Sequence, residues 1–535
     1  MTRPSIAPRT LARYGAAVLS GVAVWASFPP LGWWPSAIVG VAALTLTIRD
    51  APRLRAAAAC GYLAGLGLWI PLLSFLRGGF GFAAWGALAA IEALWFLLLG
   101  LAISVVVRAR WWPLVTALLW VGQEFLRDRV PWGGFPWGRL AFGQANGPLV
   151  HLAAIGGAPL VTFAVALAGG LLAWALVQRP GLRPALALAS VVAIAAAPLA
   201  IVLPTAGTDR GGAPSSIVVA AVQGNVPRLG LEPFAQRYAV TRNHAMQSMR
   251  LAREIASGQR ARPAFVVWPE NSDDLDPIPT DPGYDPVSSA MIRAAAADLR
   301  VPILVGAVLN GPGAHVRNAG VVWSPTSGPG EIYVKRHLVP FGEYLPMRGL
   351  MTTISHRFTL IGRDFVPGHR AGVLTIAGTR IADAICFEVA DDSVVRQAVT
   401  GGGRLIVIQT NNASYERPGD SGDGGETAQQ LAIARLRAVE HGRAVVVAAT
   451  SGVSAMIAPN GRVIARTGVF TPALLDRRLP LRDPLTVADR IGPWPEWGAS
   501  AAGLIALIVV LARRRVRQDV EDLNLDSTVS IEERV

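Results

Sequence analysis

Long apolar runs fill the first 205 residues, and one more stands near the C-terminus. A helix needs roughly 20 apolar residues to cross about 30 Å of hydrocarbon. The runs predict membrane spans at 11–28, 33–48, 56–76, 82–107, 111–126, 157–178, 184–203 and 497–512. Trp33, Trp34, Trp111, Trp112 and Trp497 stand at span ends, where an interfacial aromatic belt is expected. Seven buried helices of a soluble protein would need a charged coat. Only 16% of the residues are charged, against about 25% in an average soluble protein, and 52% are apolar. Arg3, Arg9 and Arg13 before the first run also suit a cleaved leader, but six more runs follow directly and favour a span.

The arginines then orient the chain. With a cytoplasmic N-terminus, the inner segments carry Arg3, Arg9, Arg13, Arg49, Arg53, Arg55, Arg108, Arg110, Arg179, Arg183, Arg513, Arg514, Arg515 and Arg517. The outer loops carry only Arg77, Arg127, Arg129 and Arg139. This asymmetry is the positive-inside pattern. It predicts eight spans, both ends in the cytoplasm, and residues 204–496 outside it. The net charge of +13 thus reads as topology, and no nucleic-acid partner is expected. The expected division is a membrane domain 1–203, a linker 204–215, a soluble domain 216–496, a last span 497–512, and a basic stop with an acidic, disordered tail 513–535.

The soluble segment has another texture. Short apolar runs predict strands at Ile217–Val222, Phe265–Trp268, Ile303–Val308, Ala319–Trp323, Glu331–Lys335, Arg380–Ile385, Leu405–Thr410, Ala444–Ala449 and Ser454–Ile457. Helical stretches fall at 233–257, 286–299, 389–400 and 428–441. Apolar strands alternating with helices predict a mixed α/β sandwich with the helices outside. The polar, Gly-rich stretch 412–427 reads as a mobile loop.

Three residues at strand ends can carry chemistry. Cys386 ends one apolar strand before a helical stretch, a place where a helix dipole lowers a thiol pKa. Lys335 is the single lysine among 49 basic residues. Arginine serves wherever charge alone is needed, so the surviving lysine points to a role for a compact ammonium. Glu270, in Trp268-Pro269-Glu270, can take a proton from a thiol. Together they suit attack of a thiol on a carbonyl, with a carboxylate base and an ammonium for the oxyanion. With two cysteines and no metal-ligand spacing among seven histidines, no metal, cofactor or disulfide framework is expected.

These residues and their flanks resemble the nitrilase superfamily, and eight spans around such a domain resemble the apolipoprotein N-acyltransferase family. The resemblance is carried by Val222-Gln223-Gly224-Asn225, Trp268-Pro269-Glu270, the Lys335–Pro346 stretch, Cys386-Phe387-Glu388, Ala434 to Arg443, and the membrane loop Gly134-Phe135-Pro136-Trp137. It implies a nitrilase-like αββα sandwich on the extracytoplasmic side of a bacterial cytoplasmic membrane. It also implies transfer of an acyl chain from a phospholipid to Cys386, then to the α-amino group of a diacylglyceryl-cysteine apolipoprotein. Glu270 would be the general base and Lys335 the oxyanion stabiliser. Glu343 matches a second family glutamate that helps position or deprotonate, and Glu388 an acidic residue after the nucleophile. Phe387 stands where the family often has tyrosine.

Other residues are read more plainly. Glu92 and Glu124 are the clear acids within the spans, and Glu92 reads as a neutral, hydrogen-bonded packing residue. His337 reads as structural, Arg336 as a contact for a phospholipid phosphate, and the tryptophans of 132–137 as interfacial anchors. A membrane-anchored amidase with water as acceptor, and a transporter with an external binding domain, remain the competing readings.

Overall fold

The computed structural model describes residues 8–226, 237–354 and 362–532. Arg3 and the first residues of the helix expected from 233 lie outside the described residues. Seven of the eight expected spans come first, all helical: α1 (Pro8–Trp25), α2 (Pro35–Arg49), α3 (Leu54–Leu72), the single turn α4 (Leu76–Gly79), α5 (Gly81–Val106), α6 (Trp112–Arg127), α7 (Ala153–Leu176) and α8 (Leu182–Ala196). Small residues let them approach closely. A Cβ added to Gly61 of α3 would stand 2.2 Å from the Phe96 carbonyl of α5.

The soluble domain follows, as β1 (Ser216–Gln223), α9 (Arg237–Ala256), β2 (Phe265–Val267), α10 (Pro286–Leu299), β3 (Ile303–Asn310), β4 (Val316–Ser324), β5 (Gly328–Val334), α11 (Arg348–Ile354), β6 (Val373–Ile376), β7 (Thr379–Ile385), α12 (Asp392–Thr400), β8 (Ile406–Thr410), α13 (Gly425–His441), β9 (Val445–Ala449), β10 (Ala455–Ile457), β11 (Val463–Arg466), β12 (Ala473–Pro480) and α14 (Val487–Ile491). The chain ends in α15 (Trp494–Glu532). The tail expected to be disordered instead continues this helix as far as Glu532. No Gly or Pro follows Gly503, so nothing in the covalent chain breaks it.

Among the described residues, five helical stretches are long and apolar enough to cross a membrane: Leu54–Leu72, Gly81–Val106, Pro148–Leu176, Leu182–Ala200 and Trp494–Val516. Of the other three expected spans, α2 is apolar but shorter, while α1 and α6 carry Arg9, Arg13, Glu124 and Arg127. The apolar windows at Leu182–Ala200 and Trp494–Val516 are only 11% buried. They present leucine, isoleucine and valine outward, a surface suited to lipid rather than water.

The strands form two six-stranded sheets, ordered β12-β1-β2-β3-β4-β5 and β11-β10-β9-β8-β7-β6. Each has three parallel strands at its centre, β1-β2-β3 and β7-β8-β9, with antiparallel strands outside. The period-2 alternation decides which layer each side chain enters. Val219, Ala221, Phe265 and Val267 face the space between the sheets, meeting Ile385, Val407 and Val446. Ala220, Val222, Val266 and Trp268 face the outer helices, where Ile292 and Leu299 of α10 lie. Across the second sheet, Ile406, Ile408, Val445 and Val447 join α12, α13 and the membrane helices in one continuous core. The second sheet, with α12 and α13, is thereby packed against the membrane domain.

Candidate active site

Glu270, Lys335 and Cys386 converge although 65 residues separate the first two and 51 the second two. Glu270 follows β2, and Gly306 of β3 lets its backbone come close: a Cβ there would stand 2.1 Å from the Pro269 carbonyl. Glu270 is 4% exposed. Its Oε1 accepts from Lys335 Nζ at 3.2 Å and from Asn318 Nδ2 at 2.7 Å, and its Oε2 from the Asn411 backbone N–H at 2.9 Å. Lys335 directly follows β5, and its N–H donates to the Asn318 carbonyl. Its Nζ also reaches Glu343 Oε1 at 3.0 Å. Glu343 in turn accepts from Asn318 Nδ2 at 2.9 Å and from the Val339 N–H at 2.8 Å. An ammonium between two carboxylates follows from Coulomb attraction at low dielectric. Burial pulls Lys335 down, but Glu270 and Glu343 outweigh it and hold its pKa well above the usual lysine range.

Cys386 closes β7 with φ +55°, a left-handed conformation that turns the strand sharply into a short 3-10 helix, Cys386–Ala390. Its Sγ lies 3.9 Å from Gln430 Nε2. The thiol is not activated as the sequence suggests. A five-residue 3-10 turn has little dipole to offer. Burial pushes the thiol well above its usual range, the Glu270 charge adds to this, and Lys335 only partly opposes it. Cys386 therefore rests as a thiol, and Glu270 is the carboxylate whose charge acts on it most strongly.

Glu388 is fully buried and acts as a positioning residue. Its Oε1 accepts from the Arg336 and His337 N–H groups at 2.7 and 3.1 Å, its Oε2 from the Ile385 N–H at 2.8 Å, and both from the Tyr333 hydroxyl at 2.9 and 3.0 Å. It ties the lysine strand to the cysteine turn. His337 is structural: its Nδ1 meets Asp391 Oδ2 at 2.7 Å, and its ring stands edge-on to Phe387 at 5.4 Å. Arg336 bonds Gln397 at 2.8 Å and lines a cavity of about 800 Å³ with Trp132, His337 and Arg396. Gln223 and Arg443, from two of the motifs, brace loops: Gln223 holds Gly468 and Thr471, Arg443 holds Gly403 and Pro484.

Two expectations need correction. Trp137 is not an interfacial anchor. It is 4% exposed and stacks on Phe387 at 6.0 Å and 10°, while Phe135 stacks on the same ring at 5.7 Å. The membrane loop thus packs on the residue next to Cys386. Glu92 is buried, but its Oε2 has no hydrogen-bond partner among the described residues. Glu124 is well satisfied, accepting from the Leu140 N–H and the Thr162 hydroxyl at 2.8 Å each. Among the described residues no group of three or more His, Cys, Asp or Glu is placed to hold a metal ion.

Residues 20–171 match the family model for the apolipoprotein N-acyltransferase N-terminal domain, and residues 218–483 that for carbon-nitrogen hydrolases. An apolipoprotein N-acyltransferase of Mycolicibacterium smegmatis is 43% identical over 516 residues, covering 93% of this chain and 84% of that protein. The chain belongs to the apolipoprotein N-acyltransferase family. Proteins of the same name from Azotobacter vinelandii and Ralstonia nicotianae are 32% and 30% identical, each over 93% of its own length. With membership come the activity, N-acylation of lipoproteins, and a place in a bacterial membrane on a nitrilase-fold scaffold.

The sequence reading missed Asn318, which bridges both glutamates. It also missed Gln430 and Glu426 of α13, four residues apart on one helical face. Neither stands out in the sequence, because α13 carries polar side chains on every face.

Proposed function

We propose that this chain moves an acyl group from a membrane phospholipid to Cys386, and from Cys386 to the α-amino group of a diacylglyceryl-cysteine apolipoprotein. The Glu270–Lys335 contact at 3.2 Å, beside a thiol held protonated, carries the reading. In the first step Glu270 takes the thiol proton as Sγ attacks the phospholipid ester carbonyl. The Lys335 ammonium stabilises the oxyanion. Collapse expels the lysophospholipid oxygen, which takes the proton from Glu270. In the second step the acceptor amine attacks the thioester, Glu270 takes a proton from nitrogen, and the sulfur leaves and is reprotonated. Glu343 holds Lys335 in place, and Glu388 holds the two strand ends together. Arg336, on the cavity that flanks this site, suits a phosphate.

The arginine asymmetry supports a catalytic domain outside the cytoplasm, where both lipid headgroups lie. It also supports the division into a membrane domain 1–203, a linker, a catalytic domain 216–496 and a final span. Aromatic packing of Phe135 and Trp137 on Phe387 supports a dry nucleophile pocket, which favours an amine over water as acceptor. The test is mass spectrometry of the purified protein with phospholipid. A fatty-acyl adduct on Cys386, discharged by a diacylglyceryl peptide, is the expected result. A Cys386→Ala protein that still transfers acyl chains would sink the reading.

A further inference from the structure

Glu426 stands in the first turn of α13, where an acidic residue commonly serves its own helix. It does not do so here. Glu416 fills that role, its Oε1 accepting from the Thr427 N–H at 2.9 Å. Glu426, 5% exposed, turns inward and accepts from the Asn412 side-chain amide. Four residues on, Gln430 reaches three groups at once: its Oε1 accepts from Asn412 at 3.3 Å, and its Nε2 lies 3.0 Å from Thr410 Oγ1 and 3.9 Å from Cys386 Sγ. Asn411, between Thr410 and Asn412, donates its N–H to Glu270. The end of β8 therefore binds two carboxylates, Glu270 through Asn411 and Glu426 through Asn412, and Gln430 links Asn412 to the thiol. The Glu426 charge is felt at the Cys386 thiol and at the Tyr415 hydroxyl.

The second half of the reaction has one proton more than Glu270 can handle. An α-amino group titrates at about 7.7–8.0, so the acceptor arrives largely as an ammonium. One proton must leave before nitrogen can attack, and another leaves as the C–N bond forms. Resting on the acyl-enzyme reading above, we propose that Glu426 is a second base, receiving the acceptor's ammonium and taking its first proton. Glu270 then takes the second proton from the attacking nitrogen and returns it to the departing sulfur. The sum is thioester plus ammonium giving amide, thiol and one proton, which Glu426 passes to solvent. Burial pushes the Glu426 carboxyl up to about 8, partly relieved by Asn412 and reinforced by Glu416 and Glu270. The arriving ammonium, an opposite charge, favours the ionised carboxylate and so frees Glu426 to take the proton. Glu270, Cys386 with its partner Lys335, Tyr415 and Glu416 are the charged or titratable groups coupled to it.

The experiment loads wild-type and Glu426→Gln enzyme with acyl groups from phospholipid in detergent micelles. It then follows discharge to a diacylglyceryl-cysteine peptide and, separately, to hydroxylamine, an amine already neutral at pH 7. Glu426→Gln is expected to slow discharge to the peptide at least about 10-fold at pH 7, while hydroxylamine discharges both enzymes within about 2-fold. The peptide deficit should shrink as pH rises to about 9, where the acceptor arrives neutral. Glu426→Asp, which keeps a carboxylate, should recover part of the rate. Peptide transfer at the wild-type rate, a parallel loss with hydroxylamine, or a deficit unchanged with pH would each overturn the assignment. A wild-type enzyme carrying no acyl group on Cys386 would overturn the acyl-enzyme reading itself.

Discussion

At the residue scale, the site turns on how a few charges are neutralised. Lys335 is 1% exposed and fits between Glu270 and Glu343 as a point charge with three donors. A guanidinium is wider, planar and forked. Lys335→Arg is therefore expected to lower acyl-enzyme formation by at least about 100-fold, the scale of losing an oxyanion donor, as read by lysophospholipid release. Asp383 of β7 presents another balance. Both of its oxygens are buried without hydrogen-bond partners among the described residues. Burial, then the Glu388 charge, raise its pKa well above the usual value. An unfolded aspartate titrates near about 3.9, so the folded chain binds more protons above that pH. Stability thus falls as pH rises from there toward the raised folded pKa. Asp383→Asn removes this slope. Its melting temperature relative to wild type should increase between pH 5 and pH 8, and a pH-independent difference would contradict the argument. Glu270, Lys335 and Cys386 were legible in sequence because rare or strand-end residues stand out locally. Asn318 and Glu426 were not, since their importance lies only in what they touch.

At the element scale, the stretch 412–427 is a cover rather than a free loop. Tyr415 stacks on Phe80 at 5.7 Å and stands edge-on to Phe75 at 5.5 Å, so membrane-domain residues hold it beside the thiol. An aromatic pair contributes about 0.5–1.5 kcal/mol beyond area burial. Losing two such pairs in Tyr415→Ala should open the cover about tenfold more often. The expected outcome is more free fatty acid per N-acylated peptide, measured by chromatography of both products. A constant ratio would show that the cover does not exclude water. The polar, Gly-rich composition of the stretch hid this, because its anchor is one aromatic residue meeting rings over 300 positions away. The nine strands expected from sequence are all present, but β6, β11 and β12 were not expected. Each is the edge of its sheet. An edge strand has one unpaired side and tolerates charged residues, as β12 does with Asp476, Arg477 and Arg478. Those three charges keep β12 from reading as an apolar run.

At the scale of the whole molecule, one arginine joins the two domains. Arg139, 2% exposed, lies 2.8 Å from Asp392 of α12, 3.4 Å from Asp128, 3.5 Å from Glu124 of α6 and 3.6 Å from Glu496 of α15. Arg437 of α13 extends the network through Asp392. Removing one partner of such a buried set leaves charge uncompensated, at a cost of about 3–5 kcal/mol. Arg139→Met should lower the thermal stability of the full chain in detergent accordingly, and an unchanged melting temperature would show that the network carries no such load. The sequence alone determined the long apolar helices, the sandwich core, and the glutamate, lysine and cysteine at strand ends. Hydrophobic length, period and rare residue types are local quantities, written in consecutive positions. Only the tertiary structure decided that the thiol rests protonated, that Trp137 and Phe135 stack beside Cys386, that Glu388 is a clasp, and that α15 continues past the membrane window. Burial, charge compensation and ring contacts depend on distances between residues hundreds of positions apart, and those distances exist only once the two sheets and the membrane helices have packed.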